Sequence, residues 1–372
     1  MSSDKRSGTI VAVSATPFTI PYTNPVVFAY GAITQGEHVA LRVELEDATV
    51  AWAEAIPRIS IYGETQSSIA HLIRDELAPR LIGEDVWALQ TLEEIHRGVV
   101  ANNVARGALE QLIFAARAAQ RRLPVRDLLG GGVPRVKVAW MLPLKSEEEV
   151  LAEARNVYEQ GYRAFKLKGG ANADLDITLF RKLREIAPEA MVYIDANLGY
   201  SWRETLTVAT ALRDHGLLYL EEPMPIDADM RSQLYKATGV GILGDESAFT
   251  AAQVWRQLKE GCIQAVSIKV SRTGVRESLR IAGLAAAAGV PLIVGTQGET
   301  MLATYHAAEV ASALSTYAPL LTTELSHFEI FASQIATSDL RREAADLVLG
   351  ASAANLVVDD EALVRFAVSE GE

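Results

Sequence analysis

Polar side chains interrupt six apolar segments between residues 164 and 299, and their types suit metal-assisted acid–base chemistry. These side chains are Lys166 and Lys168, Asp195 and Asn197, Glu221, Asp245, Lys269, and Glu299. From Lys168 to Lys269 the successive charged positions are 24 to 27 residues apart, about one strand and one helix. If each ends a strand of one parallel barrel, they all lie at the same face of that barrel.

Three carboxylates between two lysines predict a metal-dependent proton-transfer site. Converging carboxylates repel one another without a counterion, and oxygen ligands without Cys or His favour a hard cation. Asp195, Glu221 and Asp245 therefore predict a Mg²⁺ site, with Mn²⁺ as an alternative. A nearby cation and burial would lower the pKa of Lys168 and Lys269, so that one could accept a proton and the other donate one. The chemistry predicted is enolisation beside a substrate carboxylate.

The elements that must position these residues are repeated strand–helix units, because short apolar, β-branched segments alternate with amphipathic ones. Strands are predicted at 136–142, 164–168, 191–195, 217–221, 240–245, 265–270, 291–296 and 320–324. None is followed by a glycine-rich nucleotide-binding motif, which favours a parallel barrel over an open doubly wound sheet.

The composition of the chain changes before the barrel begins. Alternating apolar segments come first, and helical periodicity follows over 67–120, which is the order of a small α+β domain. The glycine-rich run 128–134 ends in Pro134 and breaks any helix. We therefore predict an α+β domain over 1–133, a barrel over 134–326 and a separate C-terminal segment over 327–372.

Composition excludes several classes of function. The 372 residues include 35 Lys and Arg against 47 Asp and Glu, a net charge of −12 that argues against nucleic-acid binding. The single cysteine, Cys262, excludes an internal disulfide and a Cys-rich zinc site. The first ten residues lack a signal peptide's apolar core, and no apolar run is long enough to cross a membrane. We expect a cytoplasmic protein with a small-molecule carboxylate substrate and no nucleic-acid or membrane partner.

The ordered motifs K-x-K, D-x-N, E-E-P, D-E-S and I-K-V resemble those of the enolase superfamily, in its muconate lactonizing subgroup, along essentially the whole chain. The resemblance implies a (β/α)7β TIM-like barrel with an α+β N-terminal capping domain, to which the C-terminal segment returns. Enolase-superfamily sites combine Mg²⁺ with a lysine or histidine base. By resemblance, the metal ligands are Asp195, Glu221 and Asp245, the acid and base are Lys168 and Lys269, and Lys166 orients or polarises the substrate carboxylate. A homo-oligomer, dimer or octamer, is a further expectation.

Within this subgroup the segments are most similar to muconate cycloisomerases, which implies conversion of cis,cis-muconate to muconolactone through an enolate that a lysine protonates. Lys269 is favoured as that acid. The alternative is racemisation or epimerisation of N-acylamino acids or dipeptides by the same lysines. Dipeptide epimerases typically carry D-x-D at the last strand, where this chain has Glu324-Leu325-Ser326. A third hypothesis, a barrel that binds without catalysis, is disfavoured by the intact set of three carboxylates.

Several side chains near the predicted site have two interpretations. Glu299 is predicted to be catalytic, although an acid at a strand end also serves structure by hydrogen-bonding a neighbouring lysine. Strand alternation predicts that Glu246 points away from the metal, whereas Asn197 shares the face of Asp195 and could support it. Aromatic side chains expected to pack near the barrel mouth are Tyr22, Tyr62 and His327.

Overall fold

The first part of the chain forms a three-stranded antiparallel sheet in the order β1-β2-β3. The computed structural model describes residues 8–28, 31–225, 227–350 and 356–368. The strands are β1 (Ile10–Phe28), β2 (Gly31–Leu45) and β3 (Val50–Ala55). Alternation along β2 buries Val39, Leu41 and Val43 on one face, which becomes the core of this domain.

Helices follow this sheet and cover its apolar face. They are α1 (Ile59–Tyr62), α2 (Gln66–His71), a π-helical turn (Leu72–Leu77), α3 (Ala78–Leu81), α4 (Leu89–Arg97), α5 (Asn103–Arg121) and α6 (Val125–Leu128). Helix α5 is rich in alanine and buried along most of its length. It packs on β3 on one side and on a helix of the barrel on the other.

A sheet of eight parallel strands, β5 to β12 in chain order, makes up the second part of the described chain. After β4 (Arg135–Lys137), the strands are β5 (Trp140–Leu142), β6 (Ala164–Lys168), β7 (Met191–Asp195), β8 (Tyr219–Glu221), β9 (Gly241–Gly244), β10 (Ala265–Ile268), β11 (Leu292–Val294) and β12 (Leu320–Thr323). Val138, just before β5, forms a parallel bridge with Thr323, so the two ends of the sheet meet. The predicted fold class, a (β/α)7β barrel with an α+β N-terminal domain, is confirmed.

Helices connect successive strands of the barrel. They are α7 (Glu147–Glu159), α8 (Ala173–Ile186), α9 (Trp202–Leu212), α10 (Ala228–Thr238), α11 (Ala251–Glu260), α12 (Val270–Ala288) and α13 (Met301–Leu314). Capping boxes at Ser146, Ser201 and Thr250 satisfy the first backbone N–H groups of α7, α9 and α11. These local signals fix where each helix begins.

Strands β6, β7 and β8 end at the predicted residues, whereas β9 to β12 end one or two residues earlier than predicted. Strand β9 ends at Gly244 and β10 at Ile268, so Asp245 and Lys269 each follow their strand by one residue. The chain turns out of the sheet at the barrel rim, as it also does directly after β8, where Glu222 adopts a φ of 37°. Strand alternation therefore does not fix where Glu246 points.

The last part of the described chain returns to the first sheet. Its elements are β13 (Ala336–Thr337), β14 (Arg341–Glu343), β15 (Asp346–Val348), β16 (Val357–Val358) and α14 (Asp360–Phe366). Strand β15 pairs with β4, and isolated bridges join Tyr22 to Phe331 and Phe18 to Ala367. The division at 133/134 and 326/327 stays a prediction.

No helix among the described residues has both the length and the apolar character needed to cross a membrane. Residues 1–7, part of the segment in which a signal peptide was not expected, lie outside the described residues.

Candidate functional site

The six charged residues predicted at or directly after the ends of β6 to β10 lie together at the carboxyl end of the barrel. Lys166 Nζ lies 2.8 Å from Asp195 Oδ2 and 2.8 Å from Glu221 Oε1. Lys168 Nζ lies 2.7 Å from the same Asp195 oxygen. Both lysines of the K-x-K motif therefore face the same side of β6, as its period of two requires.

A second group of contacts surrounds Asp245 on the other side of the site. Lys269 Nζ lies 2.5 Å from Asp245 Oδ2, and Arg272 donates to Asp245 Oδ1 at 2.6 Å. Arg272 also donates to the backbone carbonyl of Asp245 at 2.8 Å. The carboxylate is fully buried, so these two cations fix it in one orientation. Lys168 and Lys269 thus lie on opposite sides of the row of carboxylates carried by β7, β8 and the residue after β9.

Carboxylate neighbours raise the pKa of the two buried lysines, Lys166 and Lys269. Burial alone would lower the pKa of Lys166, but Asp195, Glu221 and Glu324 raise it well above its ordinary value. Burial is likewise outweighed at Lys269, where Asp245 raises the pKa. The lowering predicted for Lys269 assumed a bound cation beside it and stays a prediction. The neighbouring carboxylates keep both Lys166 and Lys269 protonated.

The carboxylates respond to the same neighbours. Burial would raise the pKa of Asp195, but Lys166 and Lys168 lower it to about 2. Burial and repulsion from Asp195 raise the pKa of Glu221 well above its ordinary value. The Oε2 atom of Glu221 is buried and has no hydrogen-bond partner. Glu221 is therefore the carboxylate with most to gain from a further cation.

The three predicted metal ligands supply the donor chemistry that Mg²⁺ prefers, since all are carboxylates and Glu221 keeps an unpartnered oxygen. Among the residues that the structure describes, however, no group of three His, Cys, Asp or Glu side chains is arranged to hold a metal ion. Lysine and arginine nitrogens contact Asp195 and Asp245 in this arrangement. The ligand set stays a prediction.

Glu299 stabilises its own turn. Its carboxylate accepts from Thr296 Oγ1, from the backbone N–H groups of Gln297 and Gly298, and from Ser271 Oγ at 3.3 Å. Its hydrogen bonds to described residues include none from a lysine. These contacts hold the 296–298 turn, and a catalytic role for Glu299 stays a prediction.

Asn197 and Glu246 extend the site beyond Lys168. Lys168 Nζ donates to Asn197 Oδ1 at 2.9 Å, and the Asn197 amide donates to Glu246 Oε1 at 2.8 Å. Burial and repulsion from Asp245 and Asp195 raise the pKa of Glu246 to about 7. Glu246 thus supports Lys168 through Asn197, which strand alternation alone could not show.

Sequence reasoning missed two groups that orient the site from within the barrel. Glu324, after β12, accepts from Lys166 at 3.1 Å and from the buried Tyr193 hydroxyl at 2.7 Å. The interruption of an apolar strand by Glu324 is the same signal that found the other acids. Arg272, three residues after Lys269, shows that a helix beginning directly at a strand end can place a second cation on the same carboxylate.

Side chains from the N-terminal domain reach the barrel mouth. The Tyr62 hydroxyl contacts the side-chain amide of Gln297 and accepts from Arg272 at 3.2 Å. Arg58 donates to the backbone carbonyl of Gln297 at 2.6 Å. The ring of Tyr22 packs edge-on against His327. Tyr22, Tyr62 and His327 therefore lie near the barrel mouth, at the junction between the domains, as expected. Tyr62 also forms hydrogen bonds with barrel side chains there.

Residues 149–349 match the family described as Enolase C-terminal domain-like, and residues 11–130 match the Mandelate racemase / muconate lactonizing enzyme, N-terminal domain. The chain belongs to the enolase superfamily. A muconate lactonizing enzyme from Mycobacterium smegmatis, solved with muconolactone, is 32% identical, with a TM-score of 0.90 over 97% of this chain and 100% of that chain.

Curated relatives include two kinds of isomerase. An aromatic dipeptide epimerase from Herpetosiphon aurantiacus is 29% identical over 82% of this chain and 86% of its own length. A chloromuconate cycloisomerase from Pseudomonas putida is 25% identical over 84% of this chain and 85% of its own length. The prediction of an isomerase of the enolase superfamily, in the muconate lactonizing subgroup, is confirmed, and the comparisons leave the substrate open.

Proposed function

We propose that the protein is a Mg²⁺-dependent cycloisomerase that converts cis,cis-muconate to muconolactone. The observation that carries the proposal is the placement of Lys168 and Lys269 on opposite sides of Asp195, Glu221 and Asp245. The likeness to the Mycobacterium smegmatis enzyme over the whole chain supports this substrate. A role in the catabolism of aromatic compounds follows from it.

The chain's own residues have separate tasks in this reaction. One substrate carboxylate adds to the conjugated double bond, so that a C–O bond forms and the electron pair moves toward the other carboxylate as an enolate. Lys269 donates the proton that forms the new C–H bond, and Lys166 orients the carboxylate that carries the charge. Mg²⁺ held by Asp195, Glu221 and Asp245 would supply charge stabilisation to that enolate.

Racemisation or epimerisation of N-acylamino acids or dipeptides is the second candidate, and the Herpetosiphon aurantiacus relative supports it. Two lysines on opposite faces could exchange the α-proton of such a substrate. A free substrate ammonium needs an acid at the last strand, but Glu324 already accepts from Lys166 and Tyr193. Ser326, two residues later, carries no charge. These contacts favour the cycloisomerase over a dipeptide epimerase, whereas an N-acylamino acid has no ammonium and is left to the experiment below.

Three further expectations accompany the proposal. Mn²⁺ could replace Mg²⁺, because both prefer oxygen ligands. The protein would act in the cytoplasm on a free small molecule. It would assemble as a homo-oligomer, dimer or octamer, which light scattering measures directly.

The test is the decay of muconate ultraviolet absorbance with purified protein and Mg²⁺, repeated with EDTA. We expect Lys269→Ala to lower kcat by about 10²–10⁴-fold, the usual contribution of a positioned acid. Lys182→Ala, which removes a half-buried lysine on α8 that contacts Glu147, is the matched control and should retain full activity. Reaction in D₂O should place one deuteron in the lactone.

The same experiment separates the two candidates. Absence of muconate turnover, together with deuterium at the α-carbon of recovered N-acylamino acids or dipeptides, would replace the cycloisomerase by the epimerase. Turnover of neither substrate class would contradict both.

A further inference from the structure

The backbone at Gly295 does not require glycine. Gly295 directly follows β11, and its φ lies outside the left-handed region, whereas Gly298 has a φ of 94°. The backbone N–H of Gly295 donates to the carbonyl of Ile268 at 2.9 Å, which continues the pairing of β11 with β10. Alanine could adopt this backbone without strain, so glycine matters here for the space that it leaves.

The side chain of Lys269 occupies that space. A Cβ at Gly295 would lie 2.9 Å from Cε and 3.1 Å from Cγ of Lys269. The same Cβ would lie 2.9 Å from the hydroxyl oxygen of Ser267. These distances are shorter than van der Waals contact, so an added methyl group and the present side chain of Lys269 cannot both fit.

Gly295, Ser267 and Lys269 face the inside of the barrel. Two residues earlier on each strand, Ile293 and Ala265 belong to one buried cluster, and strand residues two apart share a side. Ser267 is fully buried, and its hydroxyl has no hydrogen-bond partner among the residues that the structure describes. The aliphatic stem of Lys269 is therefore bordered on this side by two small groups.

A methyl group at position 295 would displace Lys269 more readily than it would displace the backbone. Gly295 is tied to Ile268 by a backbone hydrogen bond, whereas Cε lies near the end of a flexible side chain. The ammonium follows Cε directly and lies 2.5 Å from Asp245 Oδ2. Because Cγ is also close, the constraint acts where the side chain leaves the backbone and holds wherever the ammonium lies during the reaction.

We propose that Gly295 is a positioning residue, whose missing side chain allows the stem of Lys269 to direct the ammonium toward the reacting carbon. The inference rests on the proposed function, in which Lys269 donates a proton. It also applies to the second candidate reaction, because both reactions use this lysine. Misplacement of a catalytic group by about 1 Å can lower a rate about 10²-fold.

The test is Gly295→Ala, assayed with muconate and Mg²⁺ and also crystallised without metal. We expect kcat to fall about 10–100-fold while KM changes little, because the proton donor is misplaced and the groups that bind the substrate are not. In the crystal, Lys269 Nζ should lie more than about 4 Å from Asp245 Oδ2, beyond the distance of an ion pair. The crystal structure needs no substrate. A displaced Lys269 in a protein without muconate turnover would keep this inference and reject the cycloisomerase.

Gly241→Ala is the matched control for the strain of an added methyl group. Its Cβ would lie 2.9 Å from the ring of Tyr219, an equally short contact at the start of β9. This variant should leave kcat unchanged even where it lowers the urea midpoint of unfolding. An unchanged kcat in Gly295→Ala, an equal loss of kcat in Gly241→Ala, or a Lys269 still paired with Asp245 in the crystal would each overturn the proposal.

A second variant shows whether the loss comes from crowding beside Lys269. Ser267→Ala removes a hydroxyl without a described partner and should by itself keep kcat. Combined with Gly295→Ala it should restore part of the lost kcat, because the added methyl group gains room to shift away from Lys269. If Gly295→Ala folds poorly, the double variant compared with Ser267→Ala alone makes the same test.

Discussion

Behind the site, Glu222 and Arg231 form an ion pair in which both side chains are fully buried, with 2.5 Å between Oε2 and Nη2. The other oxygen of Glu222 accepts from the backbone N–H groups of Asp245 at 2.6 Å and Ser247 at 2.9 Å. Glu222 thus fixes the turn that carries a predicted metal ligand. Its positive φ lets the two neighbouring acids of the E-E-P motif face different partners.

Loss of one partner of a buried ion pair leaves a charge without compensation and costs about 3–5 kcal/mol. We therefore expect Glu222→Gln to lower the free energy of unfolding by about that amount in urea titration. Glu147→Gln is the control, since it breaks a partly exposed surface pair with Lys182 that is worth under about 1 kcal/mol. Equal losses in the two variants would contradict the structural role of Glu222.

Metal binding should stabilise the folded protein through Glu221. A cation at 100 times its Kd adds about 2.7 kcal/mol to the free energy of unfolding. This gain should appear when Mg²⁺ is added to EDTA-treated wild type and should be lost in Glu221→Gln. Glu343→Gln, which changes an exposed acid on β14, should keep the gain. An undiminished Mg²⁺ effect in Glu221→Gln, measured by thermal unfolding, would remove this residue from the ligand set.

At the scale of elements, helix α13 connects the barrel to the N-terminal sheet. The Glu54 carboxylate, on β3, accepts from the backbone N–H groups of Thr300 at 3.2 Å and Ala303 at 3.0 Å, at the start of the helix. One turn later, His306 Nε2 lies 2.8 Å from the carbonyl oxygen of Trp52. Because a carbonyl only accepts, Nε2 carries the proton of a neutral imidazole.

The His306 contact predicts a pH dependence of stability. Burial lowers the pKa of this side chain to about 4 in the folded state, below the unfolded value of about 6.5. The unfolded chain therefore binds more protons between these values, and stability is lost as pH falls from about 6.5 toward 4, by about 3 kcal/mol. Denaturant unfolding from pH 7.5 to 4 should show a shallower loss in His306→Gln. His71→Gln, at an exposed histidine, should follow the wild type.

The sequence predicts the strands, the helices and the charged residues at the carboxyl end of the barrel because the signals for them are local. Strand–helix periodicity and the interruption of each apolar run are visible over a few residues, and they place Lys166, Asp195 and Glu221 correctly. Strand ends are less certain, because the turn out of the sheet depends on neighbouring strands. This explains why Asp245 and Lys269 lie one residue beyond β9 and β10.

At the scale of the whole molecule, the contacts that complete the site join residues far apart in the chain. Arg58 and Gln297 are 239 positions apart, and Tyr62 and Arg272 are 210 apart. No periodicity links such segments, so the cations and aromatic residues of the N-terminal domain could be expected near the mouth but not assigned partners. Their placement depends on how α5 packs against α12.

The α5–α12 contact brings the N-terminal domain against residues 269–274, called the catalytic turn below. Gly107 allows the two helices to approach closely. A Cβ at Gly107 would lie 2.7 Å from the carbonyl oxygen of Ser271 and 3.1 Å from the backbone nitrogen of Gly274. These atoms belong to backbone and cannot rotate away, so Gly107→Ala must separate the two helices. Lys269 and Arg272 lie in the displaced segment. The variant should lose about 1–3 kcal/mol of unfolding free energy, as overpacking does, and should also lose activity.

The matched control is Gly283→Ala, the same change within α12 at a position where the added Cβ meets no atom within 4 Å. There the helix should gain about 0.5–1 kcal/mol, because alanine has less backbone freedom to lose. Urea unfolding and kcat/KM, measured on both variants, show whether alanine is tolerated at any helical glycine or is excluded specifically by the contact at Gly107. If Gly107→Ala matches Gly283→Ala in both measurements, the catalytic turn does not depend on α5. A loss of unfolding free energy and activity in Gly107→Ala, beside a gain of stability in Gly283→Ala, would show that the N-terminal domain positions Lys269 as well as covering the barrel mouth.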